Sequence, residues 1–266
     1  MNRNCFAKIK RKVKFGINIP LKVFKKPLIP NSVTSDLFPI RNDAFWKTEF
    51  EFLNIPGLIS GDISKAHDAK IAFFNGKGLL LGFKKIKISG IGRKTLDINE
   101  LLTGDFKAAS TFAVFHDYES QSLDLGGSFL AERGYAGYKF RDASVKGYVH
   151  GNLDAVSYSL GRVEKLGNYG PFKKTYSVQH LLTGPSHYEF IFTNPTAKKI
   201  AIQSILDLNN RVKNLPKIKI DSLGVGTVKI EIKYGEIGKI KFKSFLYLGR
   251  PVVFRVTSDS FDVFHG

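Results

Sequence analysis

The sequence predicts an all-β protein of two tandem antiparallel β-sandwich units behind a short basic N-terminal arm. Three observations lead there. First, residues 85–98 (KIKISGIGRKTLDI) and 217–230 (KIKIDSLGVGTVKI) align without a gap, with seven of fourteen residues identical. In each copy a Lys-Ile-Lys-Ile alternation runs into a glycine-containing turn, then a threonine and a second apolar stretch. Period-two alternation puts the isoleucines on one face of a strand and the lysines on the other. A hairpin used twice marks a duplicated module. Second, 23 phenylalanines and 25 glycines accompany many short apolar runs closed by Gly, Asn, Asp or Pro, as in antiparallel sandwiches. Third, helical periodicity beyond residue 30 is confined to two short stretches, residues 98–102 and 201–208.

Residues 1–31 read as a basic amphipathic arm and linker. Phe6, Ile9 and Val13 recur at helical spacing, with Lys8, Lys10, Arg11, Lys12 and Lys14 around the remaining surface. Such a helix can lie on an anionic membrane, each lysine adding about 1 kcal/mol of attraction. A solvated tail or a nucleic-acid contact would use the same charges. Gly16 and Pro20 stop the helix, and Pro27 and Pro30 lead into the body.

The first sandwich unit is expected over residues 32–155, with Trp46 opening a strand as a core anchor. Residues 156–174, rich in Gly, Lys and Tyr, read as a connector, and 175–266 as the second unit. Further parallels fit the duplication. Ile71-Ala72-Phe73-Phe74-Asn75-Gly76 resembles Phe190-Ile191-Phe192-Thr193-Asn194-Pro195, and residues 112–115 resemble 245–248. Tyr148-Val149-His150-Gly151 and Val263-Phe264-His265-Gly266 both end in His-Gly. One continuous sandwich with a repeated hairpin is the alternative architecture.

At 266 residues the chain can bury sizeable cores. Its single cysteine, Cys5, excludes an intrachain disulfide and a four-cysteine zinc site. With no apolar run near the roughly 18–20 residues needed to span a bilayer, the expectation is a cytoplasmic protein, peripheral to the inner face of the membrane if the arm binds it. Half of the +18 net charge sits in residues 1–27, which hold nine Lys or Arg and no Asp or Glu. The chain has 31 Lys against 10 Arg, whereas readers of nucleic-acid sequence lean on arginine.

Catalytic signatures are missing: there is no G-x-S-x-G, H-E-x-x-H or EF-hand loop. Gly90-Ile91-Gly92-Arg93-Lys94-Thr95 lacks phosphate-loop spacing and sits in the repeated turn. The candidates concentrate in residues 111–190. His116, His150 and His187, with Asp117 or Glu119 nearby, are the types that hold zinc or iron or act as general bases. Arg133, Gly134 and Tyr135 offer a guanidinium, an open backbone and an aromatic face suited to sugars, carboxylates or phosphates, with Asn152 and His187 as further ligand contacts. His265, next to the terminus, is expected to fray.

The leading expectation is a non-catalytic binding or accessory protein, with no cofactor required. It would be peripheral to an anionic membrane and take an anionic or carbohydrate-like ligand, as in envelope or surface-glycan assembly. The alternatives are a metal-dependent enzyme on His116, Asp117, His150 and His187, and a nucleic-acid-binding protein using the arm with lysine faces such as Lys217/Lys219 and Lys239/Lys241/Lys243.

Overall fold

Alternation of apolar and polar residues sets the strands, and their pairing repeats. The computed structural model describes residues 32–266 except 63, 65, 91, 117–129, 132–133 and 247–249. The basic arm lies outside the described residues.

In chain order the first half supplies β1 (Val33–Pro39), β2 (Trp46–Phe52), β3 (His67–Asn75), β4 (Leu80–Ile88), β5 (Lys94–Asp97) and β6 (Ala109–His116). It continues with β7 (Leu130–Ala131), β8 (Tyr135–Phe140), β9 (Gly147–Val149), β10 (Asn152–Ser159) and β11 (Arg162–Lys165). The second half supplies β12 (Tyr169–Ser177), β13 (Leu182–Thr183), β14 (Ser186–Thr193), β15 (Ile200–Leu208), β16 (Arg211–Asn214) and β17 (Ile218–Ile220). It ends with β18 (Val225–Ile232), β19 (Ile237–Leu246), β20 (Val252–Val256) and β21 (Phe261–His265). Among the described residues helix is limited to Ile55–Ser60, Ile98–Leu101 and a 3-10 turn, Gly104–Ala108. None is long and apolar enough to cross a membrane.

Two sheet orders occur twice. The first unit has β4-β3-β6-β1 and β5-β2-β8-β9; the second has β16-β15-β19-β12 and β18-β14-β20-β21. All these pairings are antiparallel. The register agrees as well. Ile88 faces the first residue of β3, His67, and Ile220 faces the first residue of β15, Ile200. Thr95 faces Glu51, and Thr227 faces Ile191. The repeated segments therefore occupy one topological position in two sandwich units. Ile88 and Ile220 are fully buried, Ile86 and Ile218 pack against the two cores, and Lys85, Lys87, Lys217 and Lys219 face solvent.

Several sequence parallels need a different register. Phe190–Phe192 lies on β14, so its counterpart is Phe50–Phe52 on β2, not the β3 segment. The shared pattern is Glu-Phe-x-Phe-x-Asn, residues 49–54 and 189–194. Each buried asparagine then organises the following turn: Asn54 Oδ1 accepts from Gly57 N at 3.0 Å, and Asn194 Oδ1 accepts from Thr196 N at 3.0 Å. Residues 111–115 match 239–243 rather than 245–248, because Phe74 faces Thr111 as Asp207 faces Lys239.

Residues 201–208, read as helical, are strand β15. Ile202, Ser204 and Leu206 point inward at period two, and pairing on both edges outweighs the local pattern. Residues 156–174, read as a connector, hold the end of β10, all of β11 and the start of β12. The β10–β11 hairpin extends the first unit's larger sheet along β1.

The units share apolar contacts. Trp46, Phe50, Phe112 and Tyr138 of the first pack in one cluster with Ile191, Val252 and Phe254 of the second. The Trp46 ring meets Phe254 edge-on at 4.9 Å and Phe261 at 5.5 Å. Arg41 clamps this junction. Its guanidinium lies 5.0 Å from the Phe254 ring centroid and ion-pairs with Glu189 at 2.5 Å. The second unit also has a core of its own, with Tyr188, Phe190, Ile202, Ile240 and Phe242.

Candidate functional site

Strand β2 alternates Trp46, Thr48, Phe50 and Phe52 inward with Lys47, Glu49 and Glu51 on the outer face. Its neighbours put Tyr135, Gly137, Thr95 and Asp97 on that same outer face, directly opposite Glu51 and Glu49. Tyr148 of β9 lies opposite Gly137. A Cβ at residue 137 would stand 2.8 Å from Tyr148 Cε1, so glycine there lets the phenol cross β8 and reach β2.

The result is a held carboxylate. Tyr148 donates its hydroxyl to Glu51 Oε1 at 2.5 Å, and Arg93 donates to Glu51 Oε2 at 2.6 Å. Beside this pair Lys146 bonds Glu49. Glu51 is 7% exposed, whereas the Arg93 side chain remains 69% exposed. Burial pushes the Glu51 carboxyl up. The hydrogen bonds from Tyr148 and Arg93, with the charges of Arg93 and Lys146, outweigh it and hold the group below the ordinary carboxylate range. The Tyr148 phenol is raised, by burial first and then by its bond to Glu51.

Glu51 and Arg93 border a cavity of about 350 Å³ that Phe52, Leu53, Ile55, Gly134 and Tyr135 complete. Gly134 belongs to its wall: a Cβ there would come within 2.6 Å of Glu51 O. Tyr135 is half exposed at the rim. An apolar floor with a fixed carboxylate, a guanidinium and a phenol ring at one side is the usual makeup of a small-molecule pocket.

Of the residues expected from sequence, Tyr135 and Gly134 line this cavity. Arg133 and Asp117 lie outside the described residues. His116 ends β6 and is buried; His187 is exposed on β14; Asn152 opens β10. Among the described residues no three His, Cys, Asp or Glu side chains stand together as a metal-binding group.

His150 instead meets its duplicate, His265. Their rings lie 4.5 Å apart between centroids, and His265 Nε2 bonds the His150 carbonyl. The expected fraying of His265 is overturned, because β21 pairs with β20 through Val252 and Tyr176 bonds the Gly266 carbonyl. Burial, then the charges of Arg250 and His150, push the His265 imidazole down to about 4.

Glu51, Arg93 and Tyr148 were not singled out by sequence reading. The one available signal was Glu51 itself, an acid where the second copy has Ile191. No family model matches the chain, and no curated protein matches it in sequence.

Proposed function

We propose that this protein is a non-catalytic binding factor that holds a carbohydrate-like ligand in the cavity at Glu51. The observation that carries the reading is a buried carboxylate, fixed at both oxygens, opening onto an apolar cavity with an aromatic rim. Glu51 has lone pairs left to accept sugar hydroxyls, and exposed Arg93 has N–H groups left to donate. Tyr135 offers a ring face to the apolar side of a pyranose. Prior anchoring of both polar groups limits the ordering cost of binding. Peripheral attachment to an anionic membrane through residues 8–14 is part of the proposal and rests on sequence alone.

A glycan array of neutral and uronic-acid sugars, followed by calorimetry on the best sugar, tests the pocket. The full chain should retain a sugar and return it intact. Tyr135→Ala and Glu51→Ile should each weaken binding at least about tenfold, the loss of roughly one good contact. Retention of no sugar, or affinity indifferent to both changes, contradicts the reading. Deleting residues 1–27 should abolish co-sedimentation with anionic vesicles while sugar binding stays unchanged. Wild-type attachment should weaken as salt rises.

A further inference from the structure

The second unit exposes a sheet face that the first unit covers. On β19, Lys239, Lys241 and Lys243 alternate with buried Ile240, Phe242 and Ser244. Their counterparts in the first unit, by shared register with β3 and β15, are Thr111, Ala113 and Phe115. All three counterparts are buried: Ala113 and Phe115 pack with Phe74, Val156 and Leu223, and Thr111 Oγ1 bonds the Leu223 carbonyl. An excess of lysine spread evenly over the surface would not convert one strand face from fully buried apolar residues to a row of cations.

The neighbouring strands add one cation and one acid to this face. Lys219 of β17 faces the exposed Ala201 of β15, and Asp207 is the acidic residue paired into this face, opposite Lys239. Among the described residues no carboxylate forms an ion pair with Lys239, Lys241 or Lys243. Three cations two residues apart on one strand are spaced by about 6.6 Å. Left in water they repel one another; a polyanion laid along β19 would relieve all three.

The row ends in aromatic rings. Phe245, next in the alternation, stacks on Tyr169 at 5.1 Å with planes 14° apart. Lys173 stands over Phe245 and Lys198 over Tyr169, at 5.8 and 5.2 Å. Tyr169 remains more than one-third exposed, and Phe172 beside it is 74% exposed.

We infer that this face binds single-stranded nucleic acid, with the phosphates along Lys239, Lys241 and Lys243 and a base against the exposed rings of Phe172 and Tyr169. A lysine track leading to stacking rings is how sequence-tolerant single-strand binders work. A flat anionic membrane would use the lysines but have no planar group for the rings. Lysine in place of arginine fits contact with phosphates rather than base edges.

Fluorescence anisotropy of the full chain with a labelled single-stranded oligonucleotide, titrated across salt, tests the inference. Changing Lys239, Lys241 and Lys243 together to alanine should weaken binding about tenfold or more and reduce the salt slope by about 2. Tyr169→Ala should weaken binding with the slope unchanged. A charge-matched control, with exposed Lys77, Lys87 and Lys107 changed to alanine, should bind like wild type. The N-terminal arm is the same in every variant, so differences report the face. Equal losses in the two triple variants, no loss in either, or binding to phosphatidylserine vesicles without binding to the oligonucleotide would overturn the inference.

Discussion

In the first unit the outer face of β2 carries Glu49 and Glu51 and opens onto a cavity; in the second the same positions carry Glu189 and Ile191 and face the first unit. The neighbouring positions differ in step. Tyr135, Gly137 and Tyr148 of the first unit match Val252, Phe254 and Val263 of the second, and these second-unit residues pack in or against the shared cluster. Glu49 turns to Lys146, whereas Glu189 turns across the junction to Arg41. The other sheet reverses the pattern, apolar and covered in the first unit, lysine-lined and exposed in the second. Inward residues of both copies preserve one framework. Outward residues decide, face by face, whether it meets solvent, a cavity or its twin.

That comparison can be broken at the junction first. Trp46 is 3% exposed and touches Phe254 and Phe261. Trp46→Ala should lower unfolding free energy by about 3–5 kcal/mol, measured in denaturant. Its counterpart Ser186 should tolerate alanine with far less loss.

The paired His-Gly ends give the next effect. His265 is depressed to about 4 from an ordinary 6.5, so between those values the unfolded chain binds a proton that the folded chain refuses. Its stabilisation is complete above about pH 6.5 and is lost as pH falls toward 4, by roughly 3 kcal/mol. Denaturation midpoints at pH 7 and pH 4.5 in wild type and His265→Phe should show a smaller pH decrement in the variant. Equal decrements would detach the junction from His265.

A smaller effect belongs to the held carboxylate. Tyr148→Phe should cost about 1 kcal/mol, since one hydrogen bond to a partly screened charge is lost. It should also move the Glu51 titration up toward the ordinary range. Glu51 stabilises when ionised: its acid-side loss begins near the ordinary carboxylate range in both proteins, but in Tyr148→Phe it should be smaller and complete at higher pH than in wild type. Carbon NMR of the Glu51 carboxyl would read the shift.

The smallest effect falls on the exposed lysines. Lys241→Ala should change stability by no more than about 0.5 kcal/mol. Ala113→Lys, the reverse change at the covered counterpart, should cost several times more, because a cation would enter a packed apolar cluster.

The repeated framework was legible because the KIKI alternation and the His-Gly ends are local patterns that survive in both copies. The register of the intervening strands was not. Segments such as Ile71–Phe74 and Phe50–Phe52 both carry paired phenylalanines, and long-range pairing decides which one matches Phe190–Phe192. Residues 201–208 misled in the same way: Ile202, Ile205 and Leu206 fit a helical stripe, yet β15 buries Ile202 and Leu206 and turns Ile205 toward the lysine face. The site was half legible. Gly134 and Tyr135 stood out as an aromatic beside an open backbone, but Glu51 and Arg93 are 42 residues apart and meet only through the pairing of β2 with β5. The histidines drew attention by their chemistry, whereas His150 is held by the duplicate of its own strand end.

The most direct test exchanges one equivalent pair: Glu51→Ile beside Ile191→Glu, each read by equilibrium denaturation. Ile191→Glu should lose about 3–5 kcal/mol by leaving an unpaired charge in the shared core, whereas Glu51→Ile should lose no more than about 2 kcal/mol, since the Arg93 it leaves behind is exposed to water and the Tyr148 hydroxyl gives up one hydrogen bond. Equal tolerance at both positions, or the larger loss at Glu51, would contradict the account of two copies whose faces have parted.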